Sequence, residues 1–301
     1  MSENPLVSVV IATYNRAALL VETLESVRGQ SFQDFEIIVV DDGSTDDTPM
    51  LAQSYGQKIR YFRQENRGAA AARNLGFRQA RAPWIAVQDS DDLSMPDHLR
   101  TLYDYVKTHP DCGMVFANGC YLEGAEHDRE TIIPAVKSRR LATQGVLLSD
   151  LFEKSIVRLQ AALISKAAFE SVGGMNESFA ICHDLDLFLR LTLNFPVGYV
   201  DRIVFRYRKH QGNISRDEET RLLENIRVIE TLMRDFPQAE IMLGPKRVAR
   251  RLAYRYYRLA KGRWKRQQFA AARQAIGTAV SSCPLSLKYR YYDFRWRVGE
   301  S

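Results

Sequence analysis

No uninterrupted apolar run in these 301 residues reaches the ~18 residues that a membrane-spanning helix needs, so no helix is expected to cross a bilayer. The opening residues, MSENPLVSVVIATYN, have no basic segment leading into an apolar one, which speaks against a secretory leader. Cysteine is scarce. Cys112, Cys120, Cys182 and Cys283 follow neither metal-ligand nor disulfide-scaffold spacing, and are expected as reduced thiols in a cytoplasmic protein. Glycine is missing from ATYNR (12–16), the first turn at which a phosphate-cradling loop would need it. Acidic residues almost vanish near the C-terminus: Pro245 to Ser301 holds 15 Lys and Arg against 2 Asp and Glu. The rest of the chain holds 27 basic and 34 acidic residues, so an acidic body carries a strongly basic tail. Such asymmetry points to an anionic partner for the tail.

What is present supports a folded α/β protein. The hydrophobic content of 46% is enough for a sizeable core. Leu6–Ala12, Phe35–Val40, Ile59–Phe62 and Trp84–Val87 are short apolar or β-branched runs, as expected for strands buried on both faces. Helical stretches separate them: 16–28, 45–55 and the alanine-rich 68–80. This β-α-β-α-β-α-β order predicts a mainly parallel sheet covered by helices. Further on, 96–109 reads as a helix with Pro96 in its first turn, 112–122 as a strand, and 123–140 as a loop. Helices are expected near 147–153, 166–172 and 184–193, and a strand over 198–208. After Asn213 the pattern turns helical throughout, which divides the chain into a domain of residues 1–215 and a basic helical extension of 216–301. Within the extension, 246–261 and 267–281 form a helical hairpin whose small residues resemble a tetratricopeptide pair, though one copy makes no repeat.

Ligands of such sheets bind at the carboxyl ends of the strands. Three polar clusters lie there: ATYNR (12–16), VDDGSTDD (40–47) and QDSDD (88–92). Asp89 and Asp91 have the D-x-D spacing, which puts both side chains on one side of an extended segment. Two hard oxygen ligands suit Mg²⁺ or Mn²⁺, which also bind substrate phosphates. D-x-D alone is equally compatible with a solvated turn in which Asp92 or Ser94 caps the helix from Pro96. Its position after a buried strand, beside a second acidic pair Asp41-Asp42, favours the metal.

VSVVIATYNRAALLVETLESVRGQSFQDFEIIVVDDGSTDDT, ENRGAAAARNLGF and WIAVQDSDDLSMPDHL together resemble family 2 glycosyltransferases of GT-A fold. The resemblance resumes at LISKAAFESVGGMNESF, HDLDLFLRL and FRYRKHQGNIS, and so covers about two thirds of the chain; residues after 220 lie outside it. It implies an inverting, metal-dependent transfer from a nucleotide-diphosphate sugar, a UDP-sugar first among them, to a saccharide or lipid-linked acceptor in polysaccharide or glycolipid assembly. By position, Tyr14 would stack on the nucleotide base and Asp42 would accept a base N–H. Arg73 would lie by the nucleotide or its phosphates, Asp89 by the ribose and metal, and Asp91 would be the direct metal ligand. Asp184 would be the general base. The family pattern there is Glu-Asp, and this chain has His183-Asp184, so the acceptor side departs from it. A protonated His183 would lower the pKa of Asp184; the ring is alternatively an acceptor contact. Asp186 would support the first helical turn through the helix dipole or orient the acceptor. His210 would stand near the metal and diphosphate, Arg206 and Arg208 would face phosphate or solvent, and the Gly173-Gly174 turn would lie beside the acceptor.

Without the resemblance, helix capping is the better reading of Asp184, because capping Asp is so common. Two other functions compete. A nucleotidyltransferase needs the glycine-rich loop that ATYNR lacks, and a binding protein on a degenerate scaffold finds its sequence hint in His183. The tail stretch RLAYRYYRLAKGRWKR (251–266) is either a solvated face or a peripheral contact with anionic lipid on the inner face of the membrane. No nucleic-acid recognition module is visible.

Overall fold

The computed structural model describes residues 5–122, 130–153, 156–209 and 217–298. The chain divides into two compact units, Met1–Gly212 and Asn213–Ser301. In the first, β1 (Val7–Thr13), α1 (Ala17–Arg28), β2 (Phe35–Asp41), α2 (Thr48–Ser54), β3 (Arg60–Arg63), α3 (Ala69–Gln79) and β4 (Trp84–Asp89) follow one another in the alternation the sequence predicts. Then come β5 (Leu93–Ser94), α4 (His98–Thr108), β6 (Met114–Leu122), α5 (Ala135–Gln144), α6 (Leu148–Glu153), β7 (Ala162–Ser165), α7 (Lys166–Ser171), α8 (His183–Asn194) and β8 (Val197–Arg208).

These eight strands form one sheet in the order β3-β2-β1-β4-β7-β6-β8-β5. β1 pairs in parallel with β2 and β4, β2 with β3, and β6 with β8. The sheet is mixed, because β7 runs against both β4 and β6, and the short β5 runs against β8. The strands alternate their side chains between two covered faces. Val7, Val9 and Ile11 of β1 and Phe35, Ile37 and Val39 of β2 join Leu20, Leu24 and Val27 of α1 and Leu99, Leu102 and Val106 of α4 in one buried cluster. On the other face α3 lies so close to β1 that a Cβ on Gly76 would come within 2.3 Å of Val10. Burial on both faces is why the strands read as unbroken apolar runs. Because β1 sits between β2 and β4, with Thr13 opposite Asp41 and Ala12 opposite Asp89, the turns after these strands open at one sheet edge.

Two local expectations give way. The stretch expected as loop to residue 140 contains α5, which starts at Ala135. That helix buries little beyond Ser138 and Leu141 and exposes Val136, so it lacks an apolar stripe. Polar contacts hold it instead, with Ser138 Oγ bonded to Tyr199 and to Asp201. Residues 123–129 lie outside the described residues. α4 begins at His98 rather than Pro96, and neither Asp92 nor Ser94 caps it. Ser94 is in β5 with its hydroxyl on Gln88 and His98, and Asp92 points into the protein.

The second unit is helical: α9 (Glu218–Asp235), α10 (Pro237–Leu243), α11 (Pro245–Lys265), α12 (Phe269–Ser282) and α13 (Leu287–Val298). α11 and α12 form the expected hairpin, and their core includes Ala253, Tyr257, Leu259, Ala260, Ala275, Ile276 and Ala279. Leu222 and Ile226 of α9 and Trp296 of α13 complete it. No described helix is long and apolar enough to cross a membrane.

A test of this packing is available in β6. Gly119 sits where the β6–β8 register shifts, and a Cβ there would come within 2.2 Å of the fully buried Phe205 ring. Gly119→Ala should therefore destabilise the chain by about 1–3 kcal/mol, measurable as a lowered midpoint in urea unfolding. A midpoint equal to the parent's would show that the ring moves freely.

Candidate active site

The first wall of the site is built by cross-loop capping. α1 has no capping side chain of its own; Arg16 at its N-cap makes none. Amides at its start are met from the β2–α2 loop and the first residue of α2 instead, Ala17 N–H donating to Asp46 (3.1 Å) and Arg16 N–H to Thr48 Oγ1 (3.3 Å). Asn15 adopts positive φ (49°), and its side-chain oxygen accepts from the Thr45 and Asp46 amides at 2.7 and 3.3 Å. Ser44 Oγ accepts from Asn15 N–H at 2.9 Å. These bonds fasten the turns after β1 and β2 together and leave the Tyr14 ring 44% exposed at their edge.

Asp41 and Asp42 serve different surroundings. Asp41 accepts from Ser44 N–H (2.8 Å) and Tyr61 Oη (2.7 Å), which fixes the turn itself. Asp42 is buried and accepts from Gln64 Nε2 (2.7 Å), Arg67 N–H (2.9 Å) and Gly68 N–H (2.8 Å). Three of its roughly four acceptor directions are thus taken by the chain, leaving one for a ligand.

The carboxylates after β4 are drawn together. One oxygen each of Asp89, Asp91 and Asp92 lies within 4.8 Å of the others. Sequence suggests helix support for Asp92; it is instead the innermost member, held by Gln160 Nε2 and by the Arg208 amide (2.8 Å). Burial and the nearby charge of Asp89 push its pKa up to about 8. The outer two carry arginine partners. Arg16 Nη1 is 2.5 Å from Asp91, and Arg73 Nη2 is 2.6 Å from Asp89. Arg208 reaches the Asp91 carbonyl (3.1 Å) and pairs with Glu22 (2.6 Å). An octahedral cation with ~2.1 Å bonds spaces its oxygen ligands about 3 to 4.2 Å apart. The cluster's hard donors suit a divalent ion once its limit of 4.8 Å tightens slightly, and Asp89 and Asp91 are less buried than Asp92.

The second wall is the start of α8. Arg73 Nη1 donates to His183 Nε2 at 2.6 Å, so the same guanidinium joins Asp89 to α8. Burial, and then the charge of Arg73, hold the His183 pKa down to about 3. The ring is therefore neutral, and the expected effect of a protonated His183 on Asp184 does not arise. Asp184 is instead pushed upward: burial raises its pKa, while the Leu185 amide (2.7 Å), Arg158 and Arg73 draw it back and Asp89 adds to the rise. Asp186 is committed to Arg190 at 2.5 Å, and Arg190 Nη1 and Nη2 donate to the Val172 and Gly174 carbonyls at 2.5 and 2.8 Å. That clamp holds the Gly173-Gly174 turn, whose φ values of 81° and 73° explain the glycines. Asn74 of α3 bonds the Met175 amide and carbonyl, both at 2.9 Å, from the other side.

His210 lies outside the described residues. Sequence reading misses Arg16, Gln160, Arg158, Asn74 and Arg190. Arg16, Gln160 and Asn74 bond partners more than sixty residues away, and although Arg16, Asn74 and Arg190 fall inside quoted stretches (ATYNR, ENRGAAAARNLGF, HDLDLFLRL), only the i,i+4 pair of Arg190 with Asp186 is a local signal.

With this geometry in place, the comparisons are direct. Residues 8–173 match the model for glycosyl transferase family 2. Glycosyltransferase GlyG of Streptococcus pneumoniae is 39% identical over 241 residues, covering 72% of this chain and 75% of that protein. Among solved structures, residues 1–349 of S. aureus TarS in complex with UDP-GlcNAc align over 97% of this chain and 92% of that one, with TM-score 0.62 and 18% identity. The mannosyltransferase PcManGT of Pyrobaculum calidifontis, in complex with GDP-Man and Mn²⁺, aligns over 98% and 85%, with TM-score 0.63 and 19% identity. Some relatives are longer: this chain spans 52% of the longer TarS chain and 35% of a Rickettsia felis glycosyltransferase. The fold is of the GT-A class, and the chain belongs to glycosyl transferase family 2.

The neutral state of His183 has a thermodynamic consequence. Its folded pKa of about 3 lies below the ordinary 6.5, so as pH falls through this window the unfolded chain takes up a proton that the folded chain refuses. Stability is lost toward acid. In His183→Gln, whose amide oxygen can still accept from Arg73, that loss should disappear. The stability difference, variant minus parent, should be constant above pH 6.5 and rise below it by up to about 1.4 kcal/mol per pH unit. Denaturant unfolding at about pH 7.5, 6, 5 and 4.5 reads it across that window, and a difference independent of pH would mean that the ring takes up its proton as readily in the fold as in the unfolded chain.

Proposed function

We propose that this chain transfers a sugar, with inversion, from a nucleotide-diphosphate sugar to a hydroxyl of a saccharide or lipid-linked acceptor, in polysaccharide or glycolipid assembly. The observation that carries this reading is the Arg73 bridge, which joins the carboxylate cluster at Asp89 to the start of α8 beside Asp184. One residue thereby ties a place for a diphosphate to a place for a proton acceptor. UDP-GlcNAc in complex with TarS and GDP-Man in complex with PcManGT support a nucleotide-sugar donor here, and a UDP-sugar is the first to test.

In this reading the exposed Tyr14 ring stacks on the base, and the remaining acceptor direction of Asp42 receives a base N–H. Asp89 and Asp91 would hold a divalent ion, Mn²⁺ or Mg²⁺, which when bound supplies positive charge for the departing diphosphate. Arg16 and Arg73, now on these carboxylates, lie where they can turn to the diphosphate as it enters. Asp184 accepts the acceptor's hydroxyl proton. The freed oxygen pair forms the bond to the anomeric carbon, and the bond from that carbon to the diphosphate breaks with its electrons left on the nucleotide. A pKa raised by burial suits a base at neutral pH. Asp186, tied to Arg190, keeps the acceptor-side turn in place, and His183 keeps Arg73 aimed.

Asp184→Asn should lower kcat by about 10²–10⁴-fold while calorimetric donor affinity stays within about twofold of the parent's. The parent's kcat should fall on the acid side at a pH above the ordinary carboxylate range, since the Asp184 pKa is raised. Turnover by Asp184→Asn equal to the parent's rejects the base. For the donor side, calorimetry with UDP, GDP and dTDP, each with and without Mn²⁺, should show metal-dependent binding that Asp91→Asn removes. No metal-dependent binding to any of the three would leave a degenerate binding scaffold as the better reading.

A further inference from the structure

Sequence points to residues 251–266 as the part of the basic tail that would meet anionic lipid, and the structure turns that stretch inward. Tyr257, Leu259 and Ala260 are buried, and Trp264 stacks on Trp296 with ring centres 4.7 Å apart. Its cations are engaged as well: Arg258 pairs with Glu218, and Arg263 and Arg266 both pair with Glu219. Among the described helices of this unit, the one with the most exposed apolar side chains is α13. Leu287, Tyr291, Phe294 and Val298 are 81, 56, 68 and 53% exposed. At about 100° per residue these four fall within a stripe roughly 60° wide. Arg295 and Arg290 lie exposed on its two margins; Lys288, beside Arg295, sits over the Tyr257 ring at 4.4 Å, and Arg297, beside Arg290, pairs with Asp293 at 3.1 Å. The opposite side of the helix is the one that packs, with Trp296 buried and Tyr289 and Tyr292 against the unit's core.

We infer that α13 is an in-plane membrane-docking helix that inserts Leu287, Tyr291, Phe294 and Val298 among the acyl chains of an anionic bilayer, with Arg290 and Arg295, one on each margin, at the headgroups. An apolar stripe edged by cations on both margins matches a surface whose interior is apolar and whose boundary is negative. Two other occupants fit less well. A two-fold contact between two copies through this stripe would bring equal cationic margins together. A nucleic acid would use the cations and leave the apolar stripe in water. The inference rests on the second unit alone, so it stands or falls separately from the transfer reaction.

The test is flotation of the full chain with phosphatidylcholine vesicles and with vesicles of phosphatidylcholine and phosphatidylglycerol. The parent should float with the anionic vesicles and remain behind with the neutral ones. Changing both Leu287 and Phe294 to Asp should lower the partition coefficient about a hundredfold, and each of Arg290→Gln and Arg295→Gln about fivefold. Far-ultraviolet circular dichroism and the unfolding midpoint identify any variant that fails to fold. Phe294→Trp, a milder change, should gain a blue-shifted emission on anionic vesicles only. Changing the exposed Ile241 and Met242 of α10 to Asp should leave binding unchanged. Several results would overturn the inference: equal flotation with neutral vesicles, loss of binding in the α10 variant, no emission shift in Phe294→Trp, or a dimer by light scattering that only the α13 variants dissolve.

Discussion

Mutual repulsion among Asp89, Asp91 and Asp92, and the cations that offset it, govern how the elements of the first unit converge on the sheet edge. Two like charges about 4 Å apart at an effective dielectric near 20 repel by about 4 kcal/mol. Three such charges left unrelieved would rival the whole stability of a typical domain. The relief comes in three different ways. Asp91 takes Arg16 from the turn after β1, Asp89 takes Arg73 from α3, and Asp92 is shifted toward its protonated form by burial. Arg208, at the far end of β8, closes the remaining side through the Asp91 carbonyl and the Asp92 side chain. The cluster is thus the point where β1, α3, β4 and β8 are tied together, and it is poised toward positive charge.

Much of this edge is legible in sequence because both faces of the sheet are covered. Val7–Thr13, Phe35–Asp41 and Trp84–Asp89 are runs that only a twice-buried strand would tolerate, so their ends, and the polar turns after them, fall within a residue or two of where the pattern puts them. The parts that escape share one physical cause: their stabilisation is non-local. α1 is capped by Asp46 and Thr48 rather than by its own N-cap residue, and α5 is held by Ser138 against Tyr199 and Asp201 rather than by an apolar stripe. Asn74 and Arg190 grip the 172–175 turn from helices that neither periodicity nor motif connects. Asp92 misleads because a carboxylate next to a helix start resembles a cap until Gln160, 68 residues away, is seen to hold it.

The tail shows the same limit in another form. α13 is apolar on two opposite sides, one packed on the unit's core and one facing solvent. Along the sequence the two contributions cancel, so LKYRYYDFRWRV shows little amphipathic periodicity even though each side is well defined. In α11 the alternation of Arg, Tyr and Trp suggests a surface, yet Glu218 and Glu219 of α9 neutralise its cations and the aromatics face inward. Composition locates the charge of the tail and leaves open which helix presents it.

His183 is where charge accounting has most to say about the site. A glutamate in its place, as in the family pattern, would put a further negative group beside Asp184 and compete with Asp89 for Arg73. A buried neutral imidazole accepts one Arg73 N–H and adds no charge. The guanidinium's charge is then directed mainly at Asp89, and its position is still fixed from two sides. The substitution therefore preserves what aims Arg73 while removing one negative charge from the region between Asp89 and Asp184. In the proposed transfer, an acceptor approaching Asp184 would meet a less acidic wall than a glutamate would give, and the effect of the departure from the family pattern would then fall on acceptor binding rather than on the carboxylates after β4.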